Sequence, residues 1–260
     1  EELEEGGAIF QTTTDAEMIA YTIARQRLNT GTIEQAVELA MDKLEGAYSL
    51  IIMTPGKLVG ARDPQGFRPL ALGKCGNSYM LASESCAFDS IGGEFIRDVE
   101  PGEIIVINKE GLKSFKAKCG RNSSLCIFEY VYFSRPDSIV EGVSVNIARQ
   151  EAGKILAREH PVEADMVCGV PDSGLDAALG FSQVSGIPFG YGLLKNKYTG
   201  RAFVYGKREL VENSVRVKMT ALKESVRGKR LVLIDDSIVS GGTSAYIVKI
   251  LREAGAREVH

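Results

Sequence analysis

Two adjacent carboxylates, Asp235 and Asp236, lie between an apolar run and a loop rich in glycine, serine and threonine. The apolar run, residues 231–234, predicts a buried strand, and a helical pattern begins at residue 243. The loop from Ser237 to Ser244 would then present backbone N–H groups at a helix N-terminus, a favourable place for a phosphate. It lacks the GxxxxGK sequence of a Walker A loop, so another kind of phosphate ligand is indicated.

The two carboxylates narrow the class of ligand. Negative side chains repel a bare phosphate, but they suit a sugar phosphate whose hydroxyls donate to them, or a ligand that brings Mg²⁺. The sequence therefore predicts a site for a sugar phosphate such as a ribose 5-phosphate. In the alternative, Ser240 or Thr243 only caps the helix and the carboxylates are merely exposed. The candidate binding residues are Asp235, Asp236, Ser237, Ser240, Gly241, Gly242, Thr243 and Ser244.

The segments around this loop alternate between strand and helix from about residue 145 onward. Such alternation predicts a parallel sheet with crossover helices, an α/β fold in which ligands bind beyond the carboxyl ends of the strands. The predicted strands are residues 164–170, 187–194 and 229–235, and the predicted helices are residues 146–160, 174–186 and 243–255.

The first half of the chain has a different pattern. Residues 12–45 have helical periodicity, and Thr14 with Glu17 predicts a capping box at their start. Short strand-like runs separated by turns follow between about residues 47 and 109, which predicts an antiparallel sheet and an α+β layout. The pattern changes near residues 118–126, so we predict two domains, residues 1–120 and 127–260.

Composition excludes several classes of protein. A formal net charge of −3 argues against a nucleic-acid partner. No apolar run is long enough to span a membrane and no signal peptide opens the chain, so no membrane partner is expected. Five cysteines without a CxxC pair indicate a reducing compartment, the cytoplasm. With only two histidines, neither a histidine metal site nor a Ser-His-Asp triad is expected.

The run DDSIVSGGTS after a strand resembles the phosphoribosyl-diphosphate signature of the type I phosphoribosyltransferases. The resemblance implies that Asp235 and Asp236 contact the ribose hydroxyls and that the following loop holds the 5-phosphate. Residues 171–174 resemble that family's diphosphate-binding loop, here called the diphosphate loop: Pro171, Asp172, Ser173 and Gly174. Residues 193–204 resemble the mobile loop that closes over the substrate, and taken alone they also fit a solvated basic loop. The candidate contacts of the mobile loop are Lys195, Tyr198 and Arg201.

A longer resemblance runs from about residue 3 to residue 260. FEYVYFSRPDS, residues 128–138, with IFQTTTDAE, GARDPQGFRPLALGK, LASES and RDVEPGE, resembles the glutamine phosphoribosylpyrophosphate amidotransferases. The resemblance implies an α+β N-terminal-nucleophile glutaminase part followed by an α/β type I phosphoribosyltransferase domain with a parallel sheet. It also implies transfer of glutamine-derived ammonia to phosphoribosyl diphosphate, which gives phosphoribosylamine in the first step of de novo purine synthesis. Purine nucleotides are expected as feedback inhibitors, and a homo-oligomer is expected.

The same resemblance assigns roles to single residues. Asp15 corresponds to the carboxylate that holds the α-amino group of glutamine, although the first turn of a helix favours a carboxylate in any case. Ser173, Asp235 and Asp236 correspond to the Mg²⁺ positions. Cys126 corresponds to a ligand of an iron–sulfur (4Fe–4S) cluster in one branch of the family, and a plain buried thiol is the alternative. The family's cysteine nucleophile would precede residue 1, so we expect a fragment that lacks both ends and is inactive as a glutaminase by itself.

Three other functions fit part of the sequence. A phosphoribosyltransferase that uses a purine base would not need the long helical and antiparallel first half. A regulator that binds phosphoribosyl diphosphate without catalysis would carry a basic nucleic-acid-binding domain, and none is visible. A glutaminase joined to a sugar-isomerase domain is disfavoured by the DDSIVSGGTS loop. The sequence therefore predicts an enzyme, a glutamine-dependent phosphoribosyltransferase.

Overall fold

The computed structural model describes residues 2–196, 219–239 and 241–260. The chain divides into two compact units, one of Glu1–Glu129 with Ile139–Gly142 and one of Tyr130–Ser138 with Val143–His260. Among the described residues, no helix combines the length and the apolar composition needed to cross a membrane.

The first unit contains helices and two antiparallel sheets. Its sheets have the strand orders β1-β2-β6-β7 and β4-β3-β5. In chain order the elements are α1 (Glu2–Glu5), α2 (Asp15–Arg27), α3 (Ile33–Met41), β1 (Ser49–Thr54), β2 (Lys57–Arg62), β3 (Ala71–Cys75), β4 (Ser78–Ala82), α4 (Cys86–Asp89), β5 (Glu94–Asp98), β6 (Ile104–Asn108) and β7 (Gly111–Phe115).

Strand β6 shows how the layers of this unit stack. Its side chains alternate between the two faces of the sheet. Ile104 and Val106 are buried in a cluster with Val37 of α3, whereas Ile105 is buried in a second cluster with Leu72 of β3. The unit is therefore a layer of helices on one sheet, with the second sheet on the other face. This arrangement confirms the predicted α+β class for the first half of the chain.

The predicted capping box between Thr14 and Glu17 at the start of α2 is wrong, because their side chains bond to other groups. The side chain of Thr14 makes no capping hydrogen bond. The Glu17 carboxylate instead accepts the backbone N–H groups of Gln11 at 2.9 Å and Thr12 at 2.8 Å, and the Thr12 hydroxyl at 2.6 Å. Three donors from the preceding turn satisfy the carboxylate better than the single N–H of the capping position would.

The remaining elements include a parallel sheet with the strand order β10-β13-β14. Along the chain they are a π-helix (Glu129–Phe133), β8 (Ile139–Val140), β9 (Val143–Ser144), α5 (Val145–Glu159), β10 (Met166–Gly169), α6 (Gly174–Ser185), β11 (Leu193–Lys195), β12 (Met219–Ala221), α7 (Lys223–Val226), β13 (Arg230–Ile234), α8 (Gly242–Glu253) and β14 (Glu258–Val259).

Both faces of the parallel sheet are buried. On β13, Leu231 lies in a cluster with Ile247 of α8, and Val232 lies in a cluster with Phe181 of α6 on the other face. Burial on both faces explains why the sequence of this strand is a continuous apolar run. The predicted strand at residues 187–194 is only partly correct, because Phe189 forms a single bridge with Val167 and the regular strand begins at Leu193.

Helices α5 and α6 approach so closely that each needs a glycine at the contact. A Cβ atom on Gly153 would lie 1.9 Å from the carbonyl oxygen of Ala177, and one on Gly180 would lie 2.0 Å from that of Gln150. These are backbone atoms of the facing helix, so no side-chain rotation can make room. Since α6 follows the diphosphate loop directly, this contact also fixes where the loop ends.

We expect Gly153→Ala to lower the free energy of unfolding by about 1–3 kcal/mol, the usual range for overpacking. Urea unfolding followed by circular dichroism measures the change. Glu151→Ala on the exposed side of the same helix is the control and should change stability by less than about 0.5 kcal/mol. Equal stability of the two variants would show that the helices can separate without cost.

Candidate active site

The carboxyl ends of two neighbouring parallel strands bring the predicted site residues together. Strands β10 and β13 pair in parallel, with Gly169 opposite Ile234. Beyond that pair, the backbone N–H of Val170 donates to the carbonyl oxygen of Ile234 at 2.8 Å. The diphosphate loop that follows β10 and the carboxylates that follow β13 therefore start from the same edge of the sheet. An open parallel sheet binds its ligands at this edge.

A side-chain hydrogen bond joins the diphosphate loop to the carboxylates. The Ser173 hydroxyl donates to Oδ2 of Asp236. The other oxygen of that carboxylate, Oδ1, accepts the Ser237 hydroxyl at 2.6 Å, and the backbone N–H of Asp236 donates to Oδ1 of Asp235 at 2.9 Å. The three residues predicted to share a metal ion, Ser173, Asp235 and Asp236, are thus neighbours in the folded protein.

The two carboxylates are half-buried, and this burial affects the pKa of Asp235. Desolvation raises the pKa of Asp235, and the negative charge of Asp236 adds to that rise, whereas the hydrogen bond from the backbone N–H of Asp236 opposes it. A cation or hydroxyl donors would stabilise such a desolvated pair of like charges. The pair is therefore suited to a ligand that supplies either of them.

The loop after the carboxylates leads into the N-terminus of α8. Gly241 has a φ of 75°, a conformation that glycine adopts without a steric penalty, and α8 begins at Gly242. The first N–H groups of α8, including those of Thr243 and Ser244, have no acceptor within the helix and favour an anion together with the helix dipole. Ile238 and Val239 are exposed. Ser240 lies outside the described residues.

The diphosphate loop is a tight turn that packs directly on the backbone of its neighbours. The Gly174 N–H donates to the Val170 carbonyl oxygen at 3.0 Å, and the peptide bond between Pro171 and Asp172 is cis. A Cβ atom on Gly174 would lie 2.4 Å from the carbonyl oxygen of Ile234, and one on Gly169 would lie 2.5 Å from that of Gly174. Gly169 was not among the predicted site residues, although a glycine that ends a strand beside a phosphate loop is a recognisable signal.

Lys195 is the member of the predicted mobile loop that the structure describes. Its ammonium group donates to Oδ2 of Asp172 in the diphosphate loop. Tyr198 and Arg201 lie outside the described residues. Residues 193–195 form the strand β11, paired with β12, and Leu193 is buried in the core. Closure of a mobile loop over the substrate stays a prediction.

Asp15 lies in a different part of the chain, in the first unit. It is the first residue of α2, is exposed, and lines a cavity of 410 Å³. The cavity is also lined by Glu4, Thr13, Arg25 and Lys43. Carboxylates and cations in one cavity can pair with the ammonium and carboxylate groups of an amino acid.

The five cysteines do not form a metal site. All of them are free thiols, and Cys126 is half-buried. In the parts of the chain that the structure describes, no three or more histidine, cysteine, aspartate or glutamate side chains gather in a way that could hold a metal ion. A cluster of the 4Fe–4S type needs four cysteine ligands in its usual form. The described residues therefore give no support to a cluster at Cys126.

Two family models match this chain. A glutamine amidotransferase domain matches residues 1–90, and a phosphoribosyl transferase domain matches residues 144–260. The chain is 48% identical to an amidophosphoribosyltransferase of Bacillus subtilis (strain 168) over 260 residues, which is all of this chain and 54% of that protein. It is also 48% identical to an amidophosphoribosyltransferase of Archaeoglobus fulgidus over 259 residues, again all of this chain and 57% of that protein.

Two solved structures are similar as well. One is a glutamine phosphoribosylpyrophosphate amidotransferase from B. subtilis complexed with ADP and GMP, with a TM-score of 0.89 and 48% identity, covering 100% of this chain and 56% of that one. The other is described as the allosteric regulatory enzyme of purine biosynthesis, with a TM-score of 0.88 and 48% identity, covering 100% of this chain and 55% of that one.

The chain spans about half the length of the curated relatives it matches. The match nevertheless extends over all of this chain and includes both domain types in the predicted order. A glutamine amidotransferase domain followed by a phosphoribosyltransferase domain with a parallel sheet confirms the predicted fold class. The chain therefore combines a glutamine amidotransferase domain with a phosphoribosyltransferase domain and is similar over its whole length to amidophosphoribosyltransferases.

Proposed function

We propose that the protein transfers ammonia from glutamine to phosphoribosyl diphosphate and forms phosphoribosylamine. The main support for this proposal is the hydrogen bond between Ser173 and Asp236. It joins the diphosphate loop to the pair of carboxylates at the carboxyl ends of the parallel strands. Such a site suits a ligand that has both hydroxyls and a diphosphate. The glutamine amidotransferase model that matches residues 1–90 supports glutamine as the nitrogen source over transfer to a purine base.

In this proposal the ribose is held by groups with complementary charge. Asp235 and Asp236 accept the ribose hydroxyls, and the backbone N–H groups at the start of α8 hold the 5-phosphate. Pro171, Asp172, Ser173 and Gly174 surround the diphosphate. These residues bring the anomeric carbon into line for attack, so catalysis rests mainly on position and electrostatics. Tyr198 and Arg201 remain predicted contacts of a closing loop.

The donor set also fits magnesium. Ser173, Asp235 and Asp236 offer the oxygen ligands that Mg²⁺ prefers, and phosphate oxygens of the substrate would complete the coordination. When bound, Mg²⁺ supplies positive charge that stabilises the departing diphosphate. As ammonia forms the new C–N bond at the anomeric carbon, the C–O bond to diphosphate breaks and its electron pair leaves with the diphosphate. The nitrogen then loses a proton, which gives the neutral amine.

The first unit would supply the ammonia. Asp15 lies at the helix N-terminus that lines the 410 Å³ cavity, and its carboxylate is suited to the α-amino group of glutamine. Arg25 and Lys43 place positive charge in the same cavity for the α-carboxylate. We assign glutamine hydrolysis to residues 1–120 and transfer to residues 127–260, a division that the two family models support.

Asp15→Asn tests this division in the full-length protein. We expect the KM for glutamine to rise by about 10- to 100-fold, because the variant loses a hydrogen bond between charged groups. Transfer driven by added ammonium should stay within about twofold of the parent, since it bypasses the glutamine site. Diphosphate release measured with each nitrogen source separates the two effects.

The control for this variant is Asp89→Asn, which removes an exposed carboxylate from the first turn of α4 that does not line the cavity. It should change neither reaction. An unchanged KM for glutamine in Asp15→Asn would exclude a binding role for Asp15. Absence of diphosphate release with either nitrogen source in the parent protein would refute the proposed function itself.

Regulation and location complete the proposal. A similar structure is complexed with ADP and GMP, which supports purine nucleotides as feedback inhibitors of a protein that acts at the start of purine synthesis. The five free thiols support a reducing, cytoplasmic location. A homo-oligomer remains a prediction from the family resemblance. The iron–sulfur cluster has no support among these five cysteines, and no step depends on it.

A further inference from the structure

The diphosphate loop contains a charge that opposes its ligand. Asp172 stands in the middle of the turn proposed to surround a diphosphate, and 68% of its side chain is exposed. A carboxylate beside a bound diphosphate is repelled by it, because like charges disfavour each other even in a partly solvated site. The rest of the loop offers a hydroxyl and backbone groups, so Asp172 needs a separate explanation.

The structure pairs this carboxylate with a lysine whose backbone is fixed. The Lys195 ammonium donates to Oδ2 of Asp172, and 52% of the lysine side chain is exposed. Two residues earlier, Leu193 is buried, and a Cβ atom on Gly192 would lie 2.9 Å from the Sγ atom of Cys168 in β10. The base of Lys195 is thus held against the strand that carries the loop, while its charged end is solvated and can move.

We propose that Asp172 is a positioning residue that holds the Lys195 ammonium over the diphosphate loop in the ligand-free protein and releases it to the incoming diphosphate. This inference rests on the proposed function. Ion pairs between exposed groups contribute little free energy, so the lysine can leave the carboxylate readily. A diphosphate carries more negative charge than one carboxylate and therefore attracts the ammonium more strongly. Asp172 lowers the affinity for diphosphate because it competes for Lys195 and repels the ligand. The lower affinity favours release of the product diphosphate.

The test is calorimetric titration of the full-length protein with inorganic diphosphate in the presence of Mg²⁺. We expect Asp172→Asn to bind diphosphate about three- to tenfold more tightly than the parent, the size appropriate to a partly screened charge. Lys195→Met should bind it more weakly. We also expect Asp172→Asn to increase diphosphate affinity less when Lys195 is already replaced by methionine. On a logarithmic scale the increase should be less than half of that seen with Lys195 present, because only the direct repulsion between Asp172 and diphosphate is left to remove.

A matched control is Glu151→Gln, which removes the acid of an exposed pair with Lys154 on α5. It should leave diphosphate affinity unchanged. Equal or weaker binding by Asp172→Asn would overturn the inference, since the carboxylate would then be inert or required for binding. An undiminished gain in the Lys195→Met background would also overturn it, because the lysine would play no part. If the parent protein does not bind diphosphate at all, the proposed function falls together with the inference.

Discussion

Replacing Asp235 and Asp236 together with asparagine should reduce phosphoribosylamine formation by about a thousandfold or more, the range seen when groups that stabilise transition-state charge are removed. Asparagine keeps the shape of the side chain but removes the charge that attracts Mg²⁺ and accepts the ribose hydroxyls. Basal glutamine hydrolysis should be retained, because Asp15 and its cavity belong to the other unit. Diphosphate release reports transfer, and glutamate formation reports hydrolysis.

The matched control is Asp165→Asn. Asp165 lies beside the opposite end of β13, where it pairs with Arg230 at 2.9 Å, and that arginine lowers the pKa of the Asp165 carboxyl to about 2. Removing this exposed charge should leave transfer within about twofold of the parent, as is usual for surface substitutions. Normal phosphoribosylamine formation in the double variant would show that the carboxylates at the end of β13 do not hold the substrate.

Gly174→Ala should lower kcat/KM for phosphoribosyl diphosphate by about 100-fold, the effect of a displacement near 1 Å in a reacting group. The new methyl group would lie 2.4 Å from the carbonyl oxygen of Ile234, so the diphosphate loop must move away from β13, the strand that ends at Ile234. Gly169→Ala should have a similar effect, because its methyl group would lie 2.5 Å from the carbonyl oxygen of Gly174. Steady-state kinetics with saturating nitrogen donor measures both.

Gly31→Ala is the control for these two variants, since the nearest atom to its new methyl group would be the side-chain oxygen of Gln35 at 3.6 Å. It should be fully active. Circular dichroism and the thermal midpoint show whether each variant is folded under the assay conditions. A folded Gly174→Ala protein with activity within twofold of the parent would mean that the close packing of the loop does not position the substrate.

Local patterns were enough to predict the main elements of the site. A buried parallel strand is a continuous apolar run, so residues 231–234 predict β13 from the sequence alone. The glycines and hydroxyl residues after it identified the N-terminus of α8 in the same way. Ligands of open parallel sheets bind at strand ends, which is why the carboxylates could be assigned to a site at all.

Contacts between distant parts of the chain could not be predicted. Ser173 and Asp236 are separated by 63 positions, and their hydrogen bond depends on the parallel pairing of β10 with β13. The close approach of Gly174 to Ile234 is likewise a property of the packed backbone. The capping prediction failed for a related reason, because Glu17 had alternative donors in a turn whose conformation the pattern does not specify.

Nitrogen tracing shows whether the glutamine amide nitrogen reaches the ribose. The full-length protein is incubated with phosphoribosyl diphosphate, Mg²⁺ and glutamine labelled with heavy nitrogen in its amide group, and the products are analysed by mass spectrometry. We expect the label to appear in phosphoribosylamine, with one diphosphate released for each amine formed. Label found only in free ammonia, with phosphoribosyl diphosphate left intact or hydrolysed to ribose 5-phosphate, would contradict the assignment of the strand-end carboxylates and the diphosphate loop to this reaction.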